Sequence, residues 1–265
     1  MATIVTFHAH PDDECIVAGG IMRKAADEGH RVVLVVATRG EHGEVDDGFL
    51  APGEPLWQRR VIETHSAAEI LGVARTEFLG YVDSGMIGEP TNDLPDSFWT
   101  ASIEQAAERL AAILIAENAD VLTIYDDNGN YGHPDHIQVH RVGVRAAELA
   151  GTGRVYELTS NRDHLRRGMQ QFVAQAAAAG QEVPDGQPDF DSMGKPESEI
   201  TAAVDVTSFV ETKRAAMRAH ASQISDQSMF LSLPDEAFRF AFGTEWAIRA
   251  GQGPGITETD LMAGL

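Results

Sequence analysis

The sequence predicts an α/β fold, a mostly parallel sheet with helices on both faces, from three observations. Residues 2–7 form an apolar run, residues 14–28 carry a helical pattern that stops at Gly29, and residues 31–37 are almost wholly β-branched or aliphatic. Strand, helix and strand at that spacing make a βαβ unit. A second such succession follows, with a long amphipathic helix over residues 98–118, a strand over 120–125 and a helix over 137–150. The strand-like runs are continuously apolar rather than alternating, as expected of strands covered on both faces.

The remaining elements follow in order. Residues 56–71 read as a helix with Trp57, Val61, Ala68 and Leu71 on one face, and Arg59 and Arg60 default to solvent. Residues 76–79 form a short strand. Ile103, Ala107, Leu110 and Leu114 stack at helical spacing along the next helix. Beyond Gly151 the pattern weakens: a strand over 155–158, a helix over 163–179 ended by Gly180, and a Pro-, Gly- and Asp-rich excursion over 181–196. A strand over 202–206 and a helix over 210–222, containing Lys213 and His220, complete it. One domain is expected over residues 1–265, with the part from 151 to 265 least clearly patterned.

The 265 residues include 41 acidic and 20 basic side chains, a formal charge of −21, and 43% hydrophobic residues. That composition suits an ordinary globular core. The negative field disfavours nucleic acid and anionic membranes as partners. Cys15 is the single cysteine, which leaves no internal disulfide and fits a reducing cytoplasm. No signal peptide of the usual layout and no membrane-spanning apolar run is read. A homo-oligomer is compatible with all of this.

Chemistry concentrates in two polar knots, each placed where a strand ends and a helix begins. The first is His8-Ala9-His10-Pro11-Asp12-Asp13-Glu14. Carboxylates so crowded repel one another unless something positive sits among them, and a divalent metal is the simplest occupant. The second is Asp126-Asp127-Asn128-Gly129-Asn130-Tyr131-Gly132-His133-Pro134-Asp135-His136. In an open parallel sheet, two such turns at strand carboxyl ends can face one crevice. Polar capping would explain the aspartates, but histidine gains little at a helix N-terminus. His10 and Asp13, three apart at a helix mouth, can turn toward one ion. The third ligand stays open at this level among His133, His136 and His140. Glu44, on the loop leaving the second strand, lies on the same rim and is a candidate substrate contact.

The pair His10-Pro11-Asp12-Asp13-Glu14 and His133-Pro134-Asp135-His136 resembles the signature of the LmbE/PIG-L family of zinc-dependent N-deacetylases. Residues 40–45, 83–86, 131–140, 213–223 and 242–249 are similar to further blocks, the earlier ones to those of actinobacterial members in mycothiol metabolism. The resemblance implies a Rossmann-like, LmbE-like fold and zinc bound by His10, Asp13 and His136, a ligand set that iron(II) would also suit. It further implies Asp12 as general base and His133 as the group that stabilises the tetrahedral intermediate and protonates the amine. Asp135 would orient and charge that histidine, making it an imidazolium, and Tyr131 would polarise the amide carbonyl. Glu44, Arg60, Asp83 and Met86 would contact the sugar or inositol.

The expected activity is removal of the N-acetyl group from a small glycoside containing N-acetylglucosamine, of the glucosaminyl-inositol type. Cleavage of a mycothiol S-conjugate is the alternative within the class. A non-catalytic, metal-stabilised sugar-binding protein is the alternative outside it, and a closed ligand shell would mark it. A dinucleotide oxidoreductase is disfavoured because Gly19-Gly20 lies inside the first helix, where packing against the sheet explains it. His8 reads either as support behind a metal or as a satisfied core histidine, and His220 as a helix-face residue.

Overall fold

The computed structural model describes residues 1–178 and 189–265. Its strands are β1 (Thr3–His8), β2 (Arg31–Val36), β3 (Arg75–Phe78), β4 (Val121–Tyr125), β5 (Arg154–Thr159), β6 (Ala202–Asp205) and β7 (Thr244–Arg249). They form one sheet in the order β3-β2-β1-β4-β5-β7-β6. The first five run parallel, and β7 runs antiparallel to both neighbours. From β1 the chain winds outward through β2 and β3, then returns to β4 on the other side. The loops leaving β1 and β4 therefore part over a crevice, the place where such sheets bind ligands.

The helices are α1 (Asp13–Val17), α2 (Gly19–Asp27), α3 (Leu56–Leu71), α4 (Ile103–Glu117), the single turn α5 (Gly129–Gly132), α6 (Pro134–Ala150), α7 (Arg162–Ala178), α8 (Val210–Ala219) and α9 (Asp235–Phe242). On one side α1, α2 and α3 pack together with α8; elsewhere α4 packs along α6. The central strands β1, β2 and β4 are buried almost end to end, as a sheet covered on both faces requires. Left-handed Gly72 and Gly151 close α3 and α6 in the usual way of glycine C-caps.

Several boundaries differ from expectation, each for a physical reason. The single helix expected over 14–28 is two, broken at Ala18 (φ −133°). At the break the N–H groups of Gly20 and Ile21 are satisfied from β7, where the two carboxylate oxygens of Glu245 accept them at 2.8 and 2.7 Å. Lys213 Nζ, from α8, lies 2.6 Å from the same carboxylate, and both side chains are buried. Gly20 is needed there because a Cβ would collide with Val206, just beyond β6.

The helix expected from residue 98 begins only at Ile103. Phe98 is instead a core residue set edge-on to Phe7, with ring centroids 6.4 Å apart, and Ser102 caps the helix that follows. The buried face of α3 keeps the expected Ala68 and Leu71 but adds Arg60, Glu63, Thr64 and Ala67, while Trp57 and Val61 are half-buried. Strand β7 and helix α9 were not expected, because an inward-facing Glu245 interrupts the apolar pattern that would mark the strand. The expected excursion over 181–196 lies outside the described residues as far as 188.

Gly20→Ala forces a methyl group into Val206 and should destabilise the fold by about 1–3 kcal/mol, the usual cost of overpacking. Urea unfolding should show a lower midpoint at an unchanged slope.

Candidate active site

The first polar turn leaves β1 at His8. His10 N–H donates to Asp13 Oδ2 at 2.9 Å, which ties the turn to the start of α1. Asp12 between them stands at φ 95°, ψ −30°. Arg60, only 3% exposed on α3, reaches into this turn and donates to the carbonyls of Gly40 and Pro11 at 2.9 and 2.7 Å. Its Nη2 also lies 3.4 Å from Asp12 Oδ2. The arginine that defaulted to solvent is thus a buried organiser of the turn.

The second turn leaves β4 and is organised by fully buried Asp126. Its Oδ1 accepts the N–H groups of Asn128 and Asn130, and its Oδ2 accepts Thr159 Oγ1–H at 2.6 Å. His133 caps α6, its Nδ1 accepting Asp135 N–H at 3.1 Å. The proton of the neutral ring therefore sits on Nε2. The Asp135 carboxylate turns elsewhere: Oδ2 lies 3.1 Å from His10 Nε2 and accepts Ser84 N–H at 2.9 Å, while Oδ1 accepts Ser84 Oγ–H. Only the backbone of Asp135 touches His133.

The two turns meet. Asp13 Oδ2 lies 3.5 Å from His10 Nδ1 and 3.4 Å from His136 Nε2. Four ligands at zinc-like bond lengths stand about 3.3 Å from one another on a tetrahedron, so these spacings suit one ion. His10, His133 and His136 form an alternative grouping, as do His10, Asp83 and Asp135. The ligands of all three groupings also take part in hydrogen bonds: Asp13 Oδ2 accepts His10 N–H, His133 Nδ1 accepts Asp135 N–H, Asp135 accepts Ser84, and Asp83 accepts Gly85 N–H at 2.9 Å.

Asp83 also stands 3.4 Å from His10 Nε2. Tyr131 Oη lies 3.5 Å from His136 Nε2, and the Tyr131 ring sits beside those of His133 and His136. Tyr125, at the end of β4, stacks on His136 with ring centroids 4.5 Å apart.

Burial works against every charge here, and the neighbours decide the outcome. His10 is pushed well above the ordinary imidazole value, because Asp83, Asp13 and Asp135 outweigh its burial. Asp13 is held well below the carboxylate range by His136 and His10 in spite of burial. For Asp12 burial prevails over the attraction of Arg60 and lifts it to about 6. Burial, reinforced by His10 and His136, lowers His133 to about 4, so the resting ring is neutral rather than the expected imidazolium.

Of the expected sugar contacts, Glu44 and Met86 present exposed side chains, whereas Arg60 and Asp83 are buried, Arg60 with both Nη atoms bonded and its Nε without a hydrogen-bond partner. A cleft of about 530 Å³ flanks Tyr131, lined among others by Asp127, Arg162, Gly194 and Lys195. The described end of the 181–196 excursion thus forms one of its walls. Sequence reasoning gave Ser84 and Tyr125 no role and named Asp126 only as a member of the second polar knot. His220 is no helix-face residue: it is fully buried, with Nε2 2.6 Å from Glu14 Oε1.

The model of the family PIG-L, GlcNAc-PI de-N-acetylase, matches residues 5–147. This chain belongs to the PIG-L family. It is similar to a 1D-myo-inositol 2-acetamido-2-deoxy-alpha-D-glucopyranoside deacetylase of Acidothermus cellulolyticus, 39% identical over 99% of this chain and 95% of the relative. A protein of the same name from Geodermatophilus obscurus is 38% identical over 99% of this chain and 97% of its own length.

Among solved structures, N,N'-diacetylchitobiose deacetylase from Pyrococcus horikoshii shares the fold at TM-score 0.54 and 24% identity, over 89% of this chain and 73% of that one. The 4-carboxy-2-hydroxymuconate hydratase GalB of Pseudomonas putida shares it at TM-score 0.57 and 18% identity, over 98% and 99%. The expected LmbE-like α/β fold is therefore the observed one. Among the described residues no helix is long and apolar enough to cross a membrane.

His8 gives the site a measurable pH signature. It is wholly buried, its Nδ1 lies 2.9 Å from Tyr125 Oη, and burial lowers it to about 4 against the pull of Asp13 and Glu14. The unfolded chain takes up this proton below about pH 6.5 and the folded chain only near pH 4, so the stability His8 contributes at neutral pH is lost across that window. Unfolding free energies of the parent and His8→Gln, measured from pH 7 to pH 4, should converge by about 3 kcal/mol in the parent's disfavour.

Proposed function

We propose that this protein is a zinc-dependent N-deacetylase acting on N-acetylglucosamine joined to inositol, converting the acetamide to a free amine and acetate. The observation that carries the reading is the convergence of His10 and His136, from turns 126 residues apart, on one oxygen of Asp13, with Asp12 beside it. The names of its relatives point to the same substrate.

In this reading His10, Asp13 and His136 hold the ion, which when bound supplies Lewis-acid polarisation and charge stabilisation. Asp12, lifted to about 6, is a carboxylate near neutral pH with unusual affinity for a proton, and it takes one from the attacking water. As the water oxygen bonds to the amide carbon, negative charge grows on the former carbonyl oxygen. Tyr131 Oη–H and His133 Nε2–H would be the donors that meet it.

Breakage of the C–N bond needs a proton on the departing nitrogen, and Asp12, having taken one from the water, supplies it. Asp12 is thereby returned to the carboxylate, and the acetic acid formed loses its proton to solvent. Because burial keeps His133 neutral at rest, its part is to donate one hydrogen bond from Nε2–H to the growing oxyanion, without a standing charge and without giving up its proton. Asp135 supports this through its backbone N–H, which fixes the tautomer.

Glu44 and Met86, exposed on the rim, are the proposed contacts to the inositol side; Arg60 and Asp83 act from beneath by shaping the turn and holding His10. The single cysteine, buried in α1, is compatible with a cytoplasmic enzyme.

The test is turnover of N-acetylglucosaminyl-inositol, a thiol S-conjugate of the deacetylated sugar, and simple N-acetylglucosamine by protein of measured metal content. The inositol glycoside should be preferred, and chelation should abolish activity until zinc is restored. Asp12→Ala should lower kcat by about 10²–10⁴-fold while still binding metal. His136→Ala should lose the metal. Preference for the S-conjugate, or full activity in Asp12→Ala, would overturn the reading.

A further inference from the structure

Asp12 is held in a backbone conformation that costs a non-glycine residue about 1–3 kcal/mol and persists only where its surroundings impose it. Arg60 grips the turn from one side. From the other side Asp12 N–H donates to Glu14 Oε2 at 2.9 Å. The second oxygen of Glu14, Oε1, is 2.6 Å from Nε2 of His220, and both side chains are fully buried. His220 ends α8, and its carbonyl accepts the N–H groups of Gln223 and Ile224 at 2.9 and 2.8 Å, which anchors the residue from below. A continuous chain of hydrogen bonds thus runs from residue 220 through Glu14 to the backbone of Asp12. Residue 220 lies far outside the stretch 5–147 that the family model matches.

We propose that His220 is a positioning residue for Asp12. By fixing one carboxylate oxygen of Glu14 it leaves the other aimed at the Asp12 N–H, and so sets the direction of the Asp12 carboxylate. The inference rests on the reading of Asp12 as proton acceptor. It makes the part of the chain beyond residue 150 a component of the site as well as support for the sheet. The ring needs only to present a donor to Glu14. A glutamine amide can present one at similar reach, whereas leucine fills the space without a donor and asparagine is too short.

The experiment compares His220→Leu and His220→Gln in the full, zinc-loaded chain. It reads kcat and KM on N-acetylglucosaminyl-inositol, metal per chain, and amide exchange of the segment 8–15. His220→Leu should lose about 10²-fold in kcat, as expected of a misaimed group, with KM and metal content near those of the parent and faster exchange at 8–15.

His220→Gln should keep kcat within about tenfold of the parent and restore slow exchange. If His220→Leu does not fold, His220→Asn takes its place with the same expectation. A leucine variant with parental kcat, a glutamine variant as slow as leucine, or loss of metal in the leucine variant would overturn the proposal. An unaltered chain with no deacetylation would overturn the proposed function instead. The exchange comparison would then decide by itself whether His220 holds the Asp12 backbone through Glu14.

Discussion

The structure turns on placing like charges together, out of water, at the carboxyl ends of β1 and β4. Asp12, Asp13, Asp83 and Asp135 share one crevice with His10, His133 and His136, and all but Asp12 are largely buried. Ionised carboxylates at such depth are tolerable only when each is paired or accepts hydrogen bonds. Each has its own arrangement: Asp13 the two imidazoles, Asp83 His10 and a backbone N–H, Asp135 Ser84 and His10, Asp12 Arg60 and the Glu14 carboxylate at its N–H. The surrounding elements are set by this need. Helix α3 buries a polar face because Arg60 must reach the first turn, and the loop after β3 folds inward so that Ser84 can meet Asp135.

Much of this was legible in the sequence, and the limits are instructive. The βαβ order, the strands β1, β2 and β4, and the two acidic turns were visible because buried parallel strands are continuously apolar and because histidines cluster with aspartates at both turns, although His133 proves also to cap α6. What escaped were partners joined across the chain. Arg60 looked exposed because the helical pattern assigned the buried face to Trp57, Val61, Ala68 and Leu71, yet its Nη atoms bond carbonyls of two other loops. Strand β7 was hidden because its inward Glu245 is neutralised by Lys213 and two helix N–H groups. Periodicity records apolar burial, and these residues are buried by pairing instead.

The same pairs explain why the C-terminal part cannot be separated from the site. Glu245 and Lys213 satisfy the N-terminus of α2, the helix directly after the short α1 that carries Asp13 and Glu14. Nearby, Ser222 donates its N–H and Oγ–H to Glu63 at 2.9 and 2.6 Å, beside Arg60 on the buried face of α3. Breaking a buried pair by removing one partner typically costs about 3–5 kcal/mol, because the other is left uncompensated. The segment around α8 therefore braces both elements that shape the first turn, although it contributes no atom to the cluster around Asp13.

The fold by itself does not determine the chemistry, since a hydratase and a deacetylase share it with this chain. What distinguishes a hydrolytic site is the separation of two neighbouring carboxylates into unlike roles. Asp12 and Asp13 are adjacent in sequence and identical in type, yet their surroundings drive them in opposite directions. Asp13, between two imidazoles, is held as a permanent anion, the condition for a ligand. Asp12, at a positive φ, is raised by burial to about 6 against the pull of Arg60. In the proposed reading, one short turn thereby supplies both a metal ligand and a base.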